Sequence, residues 1–313
     1  MRHSKYWDDF EKRSVETINC INNNLPVPVR RVSCFITNKC NFRCKYCNMA
    51  FGNKEMSKEK FLDVLNKYGN SAIIHVTGGE PSVVKYLYPE IEKHKNVRFH
   101  LNTNAFIMPP NNIQRLKVSM DTHIENDFDN LVSNKGAFKQ VIKNIKKKSE
   151  ETVTTITCVL SKQTYKQSAD FMRFCRLTFP KLYAVFFSCY KGNNTNFVFS
   201  NEEANEFFNN YRYKLESEMD SESLGLFKET IEEKFRMFGN KRFPENIYGH
   251  KCYLSLSERV YDYNDCEFNC SHLYRDKTQN NNGYIQTECS TGCNLRLVKF
   301  NELVSKNIKG CDK

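Results

Sequence analysis

The sequence predicts an α/β fold built on a parallel sheet, because short apolar strands alternate with amphipathic helical segments along most of the chain. We predict six strand–helix repeats between residues 32 and 190. A closed barrel of this kind needs eight, so six repeats predict a partial (β/α)6 TIM-like barrel with a lateral opening. Cysteines crowd toward the C-terminus, where we predict a small α+β cysteine-rich module.

Each repeat is recognised from a run of β-branched and apolar residues followed by apolar residues at helical spacing. In the first repeat Ser57 is the expected helix N-cap and Gly69 the expected end. The β-loop-α-β order places the helices outside the sheet. Strands are predicted at residues 31–37, 71–76, 97–101, 116–120, 152–160 and 182–188, and helices at 57–69, 136–147 and 164–177.

Breaks in the pattern predict how the chain is divided. Pro26 and Pro28 close a polar N-terminal stretch, and residues 191–196 are polar and rich in Gly and Asn. Two amphipathic segments at 201–215 and 221–238 then lead to the cysteine-rich region. The predicted domains are an N-terminal extension at 1–31, the barrel at 32–190, a helical bridge at 191–248 and the cysteine-rich module at 249–313.

Charge and composition limit the compartment and the partners. The net charge is +11, but the longest basic run, at residues 146–148, ends a helical pattern where cations are favourable, which argues against nucleic acid as a partner. No stretch approaches the ~20 apolar residues of a membrane span, and the N-terminus lacks the apolar core of a signal peptide. Fourteen cysteines without a secretion signal indicate metal binding in a reducing, cytoplasmic compartment.

The most informative stretch is the C-x3-C-x2-C loop formed by Cys40, Cys44 and Cys47 directly after the first predicted strand. Three thiolates on one loop can hold a [4Fe–4S] cluster and leave the fourth iron without a protein ligand. An iron left open in this way can bind a substrate or cosubstrate. The alternatives are a zinc site completed by a distant cysteine or histidine, and a group of unligated thiols.

Three polar motifs follow at the predicted strand ends, the edge where barrels place their chemistry. Gly78 and Gly79 let the backbone approach a ligand closely, and Glu80 adds an anionic acceptor. The two asparagines of Asn102-Thr103-Asn104 serve a ligand or cap a turn. Asp121, in Val118-Ser119-Met120-Asp121, contacts a ligand or acts as a helix N-cap.

Taken in this order, the four motifs resemble those of the radical S-adenosylmethionine (SAM) superfamily, and the match covers most of residues 32–190. In that family SAM chelates the open iron, and an electron cleaves it to methionine and a 5′-deoxyadenosyl radical. The resemblance assigns the cluster to Cys40, Cys44 and Cys47. Ala105 stands where glycine is usual. The SAM contacts that the resemblance implies are Tyr46, Gly78, Gly79, Glu80, Asn102, Asn104, Ser119 and Asp121.

The last part of the chain resembles the auxiliary-cluster modules called Twitch and SPASM. That resemblance implies a second [4Fe–4S] cluster, with Asp265 replacing a turn glycine and Cys266 as a competing ligand. A zinc site with His250 or His272 is the alternative. The implied ligands of the second cluster are Cys252, Cys270, Cys289 and Cys293.

A second cluster that accepts an electron favours an oxidative reaction: peptide cross-linking and maturation, or dehydrogenation of a small molecule. The resemblance also implies a reductant such as flavodoxin or ferredoxin. One alternative is a redox-neutral epimerase in which Cys266 or Cys311 returns the hydrogen atom. Another is a zinc- or cluster-binding protein that contacts nucleic acid, although interleaved aromatic and basic stripes are missing from the sequence. The N-terminal extension is too short for the winged-helix peptide-recognition domain of some relatives.

Overall fold

A computed structural model describes residues 5–190, 192, 194–235, 252–270, 274 and 295–309. The strands are β1 Arg31–Phe35, β2 Ile73–Thr77, β3 Arg98–Thr103, β4 Arg115–Ser119, β5 Val153–Leu160, β6 Ala184–Cys189, β7 Glu258–Asp262 and β8 Glu267–Phe268. The helices are α1 Lys5–Asn22, α2 Lys58–Tyr68, α3 Leu87–Lys93, α4 Glu125–Val132, α5 Ala137–Glu151, α6 Ser168–Thr178, α7 Asn201–Glu206, α8 Arg212–Glu218, α9 Ser221–Phe235, α10 Leu254–Ser257 and α11 Leu295–Asn307.

The strands form one sheet in the order β6-β5-β4-β3-β2-β1-β7-β8. All neighbouring pairs are parallel except β7 and β8, which form an antiparallel hairpin. The predicted α/β fold with a parallel sheet is therefore confirmed, and each of the six strands predicted from the sequence is present within a few residues of its expected position.

Helix α2 shows why the local sequence was sufficient there. The Ser57 side chain accepts a hydrogen bond from the Lys60 backbone N–H at 3.1 Å, which caps the first turn. Gly69 ends the helix with an ordinary helical φ of −58°. Glycine is required at this position for steric reasons instead, because a Cβ there would lie 2.6 Å from the Leu65 carbonyl oxygen.

The two faces of the sheet differ in chemistry. On one face, fully buried apolar residues such as Val32, Ile74 and Phe99 pack with helix residues such as Phe61 and Val141 to form the main core. The alternating strand positions point away from these helices, toward the inside of the partial barrel. The polar residues of this inner face include Arg31, Ser33, His75, Thr77, His100, Asn102, Arg115, Lys117, Ser119, Thr155 and Thr157, and its apolar residues include Phe35, Ile73, Val153, Val159 and Phe186.

The C-terminal part of the chain joins the barrel sheet directly, because β7 lies parallel to β1. Near it, α1 packs on α11 through a second apolar cluster that includes Ile18, Ile21, Phe300 and Val304. The predicted domain boundaries remain a prediction. The cysteine-rich segment nevertheless shares its sheet with the barrel, so its hairpin has a fixed position relative to the sheet.

The stretch after β6 only partly follows the expected pattern. Residues 201–215 were predicted as one helix, but α7 and α8 are separated by a π-helical turn at Phe207–Tyr211. The predicted helix at 221–238 corresponds to α9, whose last described residue is Phe235. Within the described parts of the chain, no helix is both long and apolar enough to cross a membrane.

Candidate functional site

The three-cysteine loop lies between β1 and α2, at the carboxyl edge of the sheet. Its backbone is anchored to the end of α4, since the Arg43 and Lys45 N–H groups donate to the Val132 and Leu131 carbonyls at 2.9 and 3.0 Å. A turn closes its second half, where the Cys47 N–H donates to the Cys44 carbonyl at 2.9 Å. Hydrogen bonds to α4 therefore fix the position of the loop, in addition to the turn within it.

The thiol groups of this loop suit a cluster. Cys40, Cys44 and Cys47 are free and only partly exposed. Burial raises the pKa of the Cys40 and Cys44 thiols, so bound metal would have to displace their protons. Within the described residues, no three Cys, His, Asp or Glu side chains converge on a single ion. A cubane does not require this, because its cysteines bind different irons.

The Gly78-Gly79 pair lies against the start of the cysteine loop. The Gly79 N–H donates to the Thr37 carbonyl at 2.7 Å and the Glu80 N–H donates to the Lys39 carbonyl at 2.8 Å. A Cβ on Gly79 would lie 2.0 Å from the Lys39 carbonyl oxygen, and Gly78 has a φ of +139°. Both glycines are therefore needed for the contact between two backbones, in addition to any contact with a ligand.

The Glu80 carboxylate points into the protein. It accepts hydrogen bonds from the Ser82 N–H at 3.0 Å, the Thr103 hydroxyl at 2.7 Å and the Asn104 N–H at 2.7 Å. Burial raises the pKa of Glu80, while these bonds favour the charged form. A carboxylate has about four acceptor positions, and these three bonds occupy most of them. Contact between Glu80 and SAM stays a prediction.

The Asn102-Thr103-Asn104 motif and Ala105 form a tight turn at the end of β3. The Asn104 amide donates to the Asn41 side-chain oxygen at 2.8 Å, which links this turn to the cysteine loop. Ala105 has a φ of +55°, a left-handed conformation that glycine adopts more readily than alanine. The Asn102 amide donates to the Thr77 hydroxyl over a long distance, 3.4 Å.

Tyr46 and Asp121 meet above the end of β4. The Tyr46 hydroxyl donates to Asp121 Oδ2 at 2.5 Å, and the Val159 N–H donates to Asp121 Oδ1 at 2.6 Å. Burial raises the pKa of Asp121 to about 6, although both hydrogen bonds favour its charged form. Asp121 is not the N-cap of α4, because Ile124 occupies that position. Ser119 is exposed at the end of β4.

The segment after β6 makes contacts that sequence reasoning did not identify. The Tyr190 hydroxyl donates to the Asn48 side-chain oxygen at 3.3 Å, and the Asn194 amide donates to the Lys45 carbonyl at 3.3 Å. The Phe197 ring lies 6.0 Å from that of Tyr46. Since β6 and β1 are separated by four strands in the sheet, these contacts require the sheet to curl. No local pattern identifies such a long-range contact.

Two of the four candidate ligands of the auxiliary cluster lie in the same part of the structure. Cys252 and Cys270 are both buried in the second apolar cluster, and the Asn301 amide lies 3.8 Å from the Cys252 sulfur. Cys266 is in the β7–β8 turn, where its thiol faces the Asn264 carbonyl at 3.7 Å, and it is not a member of that cluster. Cys289, Cys293 and Cys311 lie outside the described residues, as do His250 and His272.

The turn at Asp265 closes the β7–β8 hairpin, which also carries Cys266. Asp265, in place of the usual glycine, has a φ of +60°, a conformation that aspartate tolerates. The Lys54 ammonium donates to the Asn264 side-chain oxygen at 2.8 Å, so the turn reaches the segment that follows the cysteine loop. The hairpin turn and the cysteine loop therefore share one edge of the sheet.

The inner-face histidines predict how stability depends on pH. Burial first, and then the charges of Arg115, Arg31 and Arg98, lower the pKa of His100 to about 3. Between that value and an unfolded pKa of about 6.5, the unfolded chain binds the extra proton. The contribution of neutral His100 to the free energy of unfolding is therefore fully present above about pH 6.5. It is lost as the pH falls, by roughly 2 kcal/mol between pH 7 and pH 5.

Urea unfolding of the metal-free protein at pH 5, 6 and 7 measures this dependence. A His100→Gln variant is expected to lose about 2 kcal/mol less than the wild type over the same range. His75 lies beside Arg31, and burial together with this cation lowers its pKa in the same direction, so His75→Gln should flatten the profile as well. Equal pH dependence in all three proteins would contradict the assignment.

Comparison with known proteins agrees with this geometry. Residues 34–175 match the family model of the Radical SAM superfamily, so the chain contains a radical SAM domain. A GTP 3′,8-cyclase of Helicobacter pylori is 32% identical over 130 residues, which are 35% of this chain and 40% of that protein. The sporulation killing factor maturation protein SkfB of Bacillus subtilis is 26% identical over 145 residues, 41% of this chain and 35% of SkfB.

Solved structures extend the likeness in fold beyond the matched domain. Streptococcus suis SuiB bound to S-adenosylmethionine has a TM-score of 0.54 at 16% identity, over 96% of this chain and 72% of that one. The protein anSMEcpe with bound AdoMet has a TM-score of 0.55 at 15% identity, over 90% of this chain and 83% of that one. At such identities the likeness establishes the fold. The chain spans only about two-fifths of the length of the curated relatives above.

Proposed function

We propose that this chain is a radical SAM enzyme that reductively cleaves S-adenosylmethionine and abstracts a hydrogen atom from its substrate. The observation that carries the proposal is the contact between the three-cysteine loop and the Gly78-Gly79 strand end, made by two backbone hydrogen bonds of 2.7 and 2.8 Å. This contact holds the thiols and the strand end together at the carboxyl edge of a partial barrel, where barrel enzymes place their chemistry.

The residues of the site then have distinct tasks. Cys40, Cys44 and Cys47 would hold the [4Fe–4S] cluster, which when bound supplies the electron that cleaves SAM to methionine and a 5′-deoxyadenosyl radical. Backbone groups at Gly78-Gly79 and the polar side chains of the next two strand ends would bind and orient SAM. The candidate side chains are Tyr46, Glu80, Asn102, Asn104, Ser119 and Asp121.

We infer an oxidative reaction, with a peptide or a small molecule as substrate and an auxiliary [4Fe–4S] cluster as electron acceptor. Supporting this, Cys252 and Cys270 lie together in one buried cluster, and Cys289 and Cys293 would complete the ligand set. The names of SkfB, a maturation protein, and of the complex of SuiB with the precursor peptide SuiA favour peptide modification. A cytoplasmic reductant such as flavodoxin or ferredoxin would supply the electron.

A redox-neutral epimerisation is the second candidate, and the position of Cys266 favours it. This thiol is half-buried in a turn that shares the sheet edge with the cysteine loop. A hydrogen-atom donor has to lie near that edge. Deuterium uptake from solvent into product would distinguish the two reactions, because only a solvent-exchangeable thiol donor introduces deuterium.

The test of the proposed function is SAM cleavage by anaerobically reconstituted protein with dithionite, measured as 5′-deoxyadenosine. We expect cleavage by the wild type and a loss of at least about a thousandfold in a Cys40→Ala/Cys44→Ala/Cys47→Ala variant, because the electron source is removed. Cys20→Ala, which alters a free cysteine of α1 away from the loop, is the matched control. Cleavage that survives the triple substitution would reject the proposal.

A further inference from the structure

We propose that the side-chain amide of Asn41 donates a hydrogen bond to the [4Fe–4S] cluster of the three-cysteine loop and thereby raises its reduction potential. This inference rests on the proposed function, because it needs that cluster to be held by Cys40, Cys44 and Cys47. Asn41 follows Cys40 directly in the chain, at one of the loop positions to which the cysteine spacing assigns no role.

The hydrogen bonds of Asn104 fix the orientation of the Asn41 amide. The Phe106 backbone N–H can only donate, and it donates to Asn104 Oδ1 at 3.0 Å. The other end of that amide, Asn104 Nδ2, therefore donates to Asn41 Oδ1 at 2.8 Å. Oxygen and nitrogen of a side-chain amide are told apart by such partners. Because Asn41 Oδ1 accepts this bond, Asn41 Nδ2 is the end of the amide that does not face Asn104.

The amide nitrogen of Asn41 is buried and unpaired. It is closed to solvent, and among the residues that the structure describes it has no hydrogen-bond partner. An amide nitrogen carries two N–H donors, and leaving a buried donor unsatisfied destabilises the folded protein. Buried polar groups are nearly always paired in folded proteins, so we expect an acceptor for this nitrogen in the complete site.

The neighbouring Cys40 sulfur indicates what that acceptor is. Asn41 Oδ1, which belongs to the same amide group, lies 4.0 Å from Cys40 Sγ. The Phe42 backbone N–H donates to this sulfur at 3.4 Å, so the start of the loop already directs one donor at the thiol. The thiolates and sulfides of a bound cluster are anionic acceptors, and hydrogen bonds to them help to set its potential. A cluster held by Cys40 therefore provides the acceptor that Asn41 Nδ2 needs.

A purely structural role accounts for only half of the Asn41 side chain. Its oxygen links the cysteine loop to the turn after β3, and an aspartate at position 41 would accept the same hydrogen bond from Asn104. Only the nitrogen distinguishes asparagine from aspartate here, and within the described part of the chain that nitrogen makes no hydrogen bond. A ligand of the loop explains why the residue carries a donor at this position.

A hydrogen-bond donor at the cluster favours its reduction. Reduction adds one negative charge, and a hydrogen bond is stronger to the more negative acceptor. The Asn41 amide therefore stabilises the reduced cluster more than the oxidised cluster, which raises the reduction potential. At a given potential of the reductant, Asn41 thus increases the fraction of the protein that can deliver an electron to SAM.

Redox titration of anaerobically reconstituted protein without SAM, followed by electron paramagnetic resonance, tests the inference. The signal that is missing from the Cys40→Ala/Cys44→Ala/Cys47→Ala variant identifies the cluster of the loop. At a fixed potential, we expect the ratio of reduced to oxidised cluster to be about tenfold lower in Asn41→Leu than in wild type, which corresponds to about 59 mV for one electron.

Asn48→Leu is the matched control for this substitution. Asn48 directly follows Cys47, as Asn41 follows Cys40, but it is exposed. Water replaces the hydrogen bonds of an exposed amide, so the ratio of reduced to oxidised cluster should change less than about twofold in this variant.

Asn41→Asp separates loss of the donor from loss of structure, because aspartate keeps the oxygen that accepts from Asn104. Pulsed electron paramagnetic resonance on protein containing asparagine with an isotope label in its side-chain nitrogen gives a readout that does not depend on charge. We expect a coupling between this nitrogen and the reduced cluster in wild type, and its loss in Asn41→Asp at an unchanged iron content.

Two results would overturn the inference: a wild-type ratio of reduced to oxidised cluster in Asn41→Leu, or a nitrogen coupling that is absent from wild type or retained in Asn41→Asp. Iron content and SAM cleavage measured on the same samples distinguish these results from failure of the proposed function. A wild type that binds no cluster, or that cleaves no SAM, would reject the proposed function and this inference with it.

Discussion

Replacement of Gly79 by alanine is expected to abolish SAM cleavage and to lower the free energy of unfolding by about 3 kcal/mol. The new Cβ would lie 2.0 Å from the Lys39 carbonyl oxygen and 2.9 Å from its carbonyl carbon. Both are backbone atoms of the cysteine loop, so no side chain can rotate away. The two strand ends must separate, and the hydrogen bonds from Gly79 and Glu80 to that loop are lost.

Gly225→Ala is the matched control for this substitution. Gly225 lies within α9, and a Cβ there meets no atom within 4 Å. Alanine is the better helix former, so this variant should retain SAM cleavage and be equally stable or slightly more stable. Urea unfolding and the 5′-deoxyadenosine assay measure both effects. A Gly79→Ala protein with wild-type cleavage would show that the tight contact is not needed.

Anaerobically reconstituted protein is expected to hold about eight irons per chain, and the Cys40→Ala/Cys44→Ala/Cys47→Ala variant about four, as two four-iron cubanes require. The physical reason is that the first set of thiols lies after β1, whereas Cys252 and Cys270 lie in the second apolar cluster. Iron and sulfide analysis, with protein concentration from amino-acid analysis, measures the ratio.

A Cys252→Ala/Cys270→Ala variant is the reciprocal arm and should also hold about four irons, those of the SAM-binding site. Cys175→Ala is the control, since Cys175 is buried in α6 within the main core. If the wild type holds about four irons and the triple variant none, the C-terminal cysteines bind zinc or no metal. The oxidative reaction would then lack its electron acceptor.

Local sequence was sufficient for the barrel strands and for α2, because their apolar spacing, cap and turn residues all agree. It did not predict α3 and α4. Helix α3 has seven residues including a proline, and α4 has eight, without a side-chain cap on either. Helices this short are marginal alone and are stabilised by packing, which a sequence pattern does not reveal.

The candidate site was also predicted only in part from the sequence. The motifs located Cys40, Gly79 and Asp121 at the correct strand ends, because parallel strands bring those ends together. The motifs did not predict the direction in which the Glu80 side chain points. Glu80 faces Thr103 and Asn104, and its contacts depend on where β3 ends relative to β2.

The pairing of β7 with β1 could not be predicted either, since the two strands are more than two hundred residues apart in the chain. Pairing at such separation leaves no trace in any local window of sequence. The turn at Asp265, by contrast, was expected from the resemblance to the auxiliary-cluster modules, because aspartate tolerates the conformation that their glycine adopts.

The pairing of β7 with β1 also has a consequence during synthesis of the protein on the ribosome. As the chain leaves the ribosome, β1 gains β2 early, but its other edge stays unpaired until β7 has been synthesised. The cysteine loop begins at the end of that half-paired strand. An exposed strand edge can pair with other chains, so the nascent barrel depends on β7 for protection against aggregation.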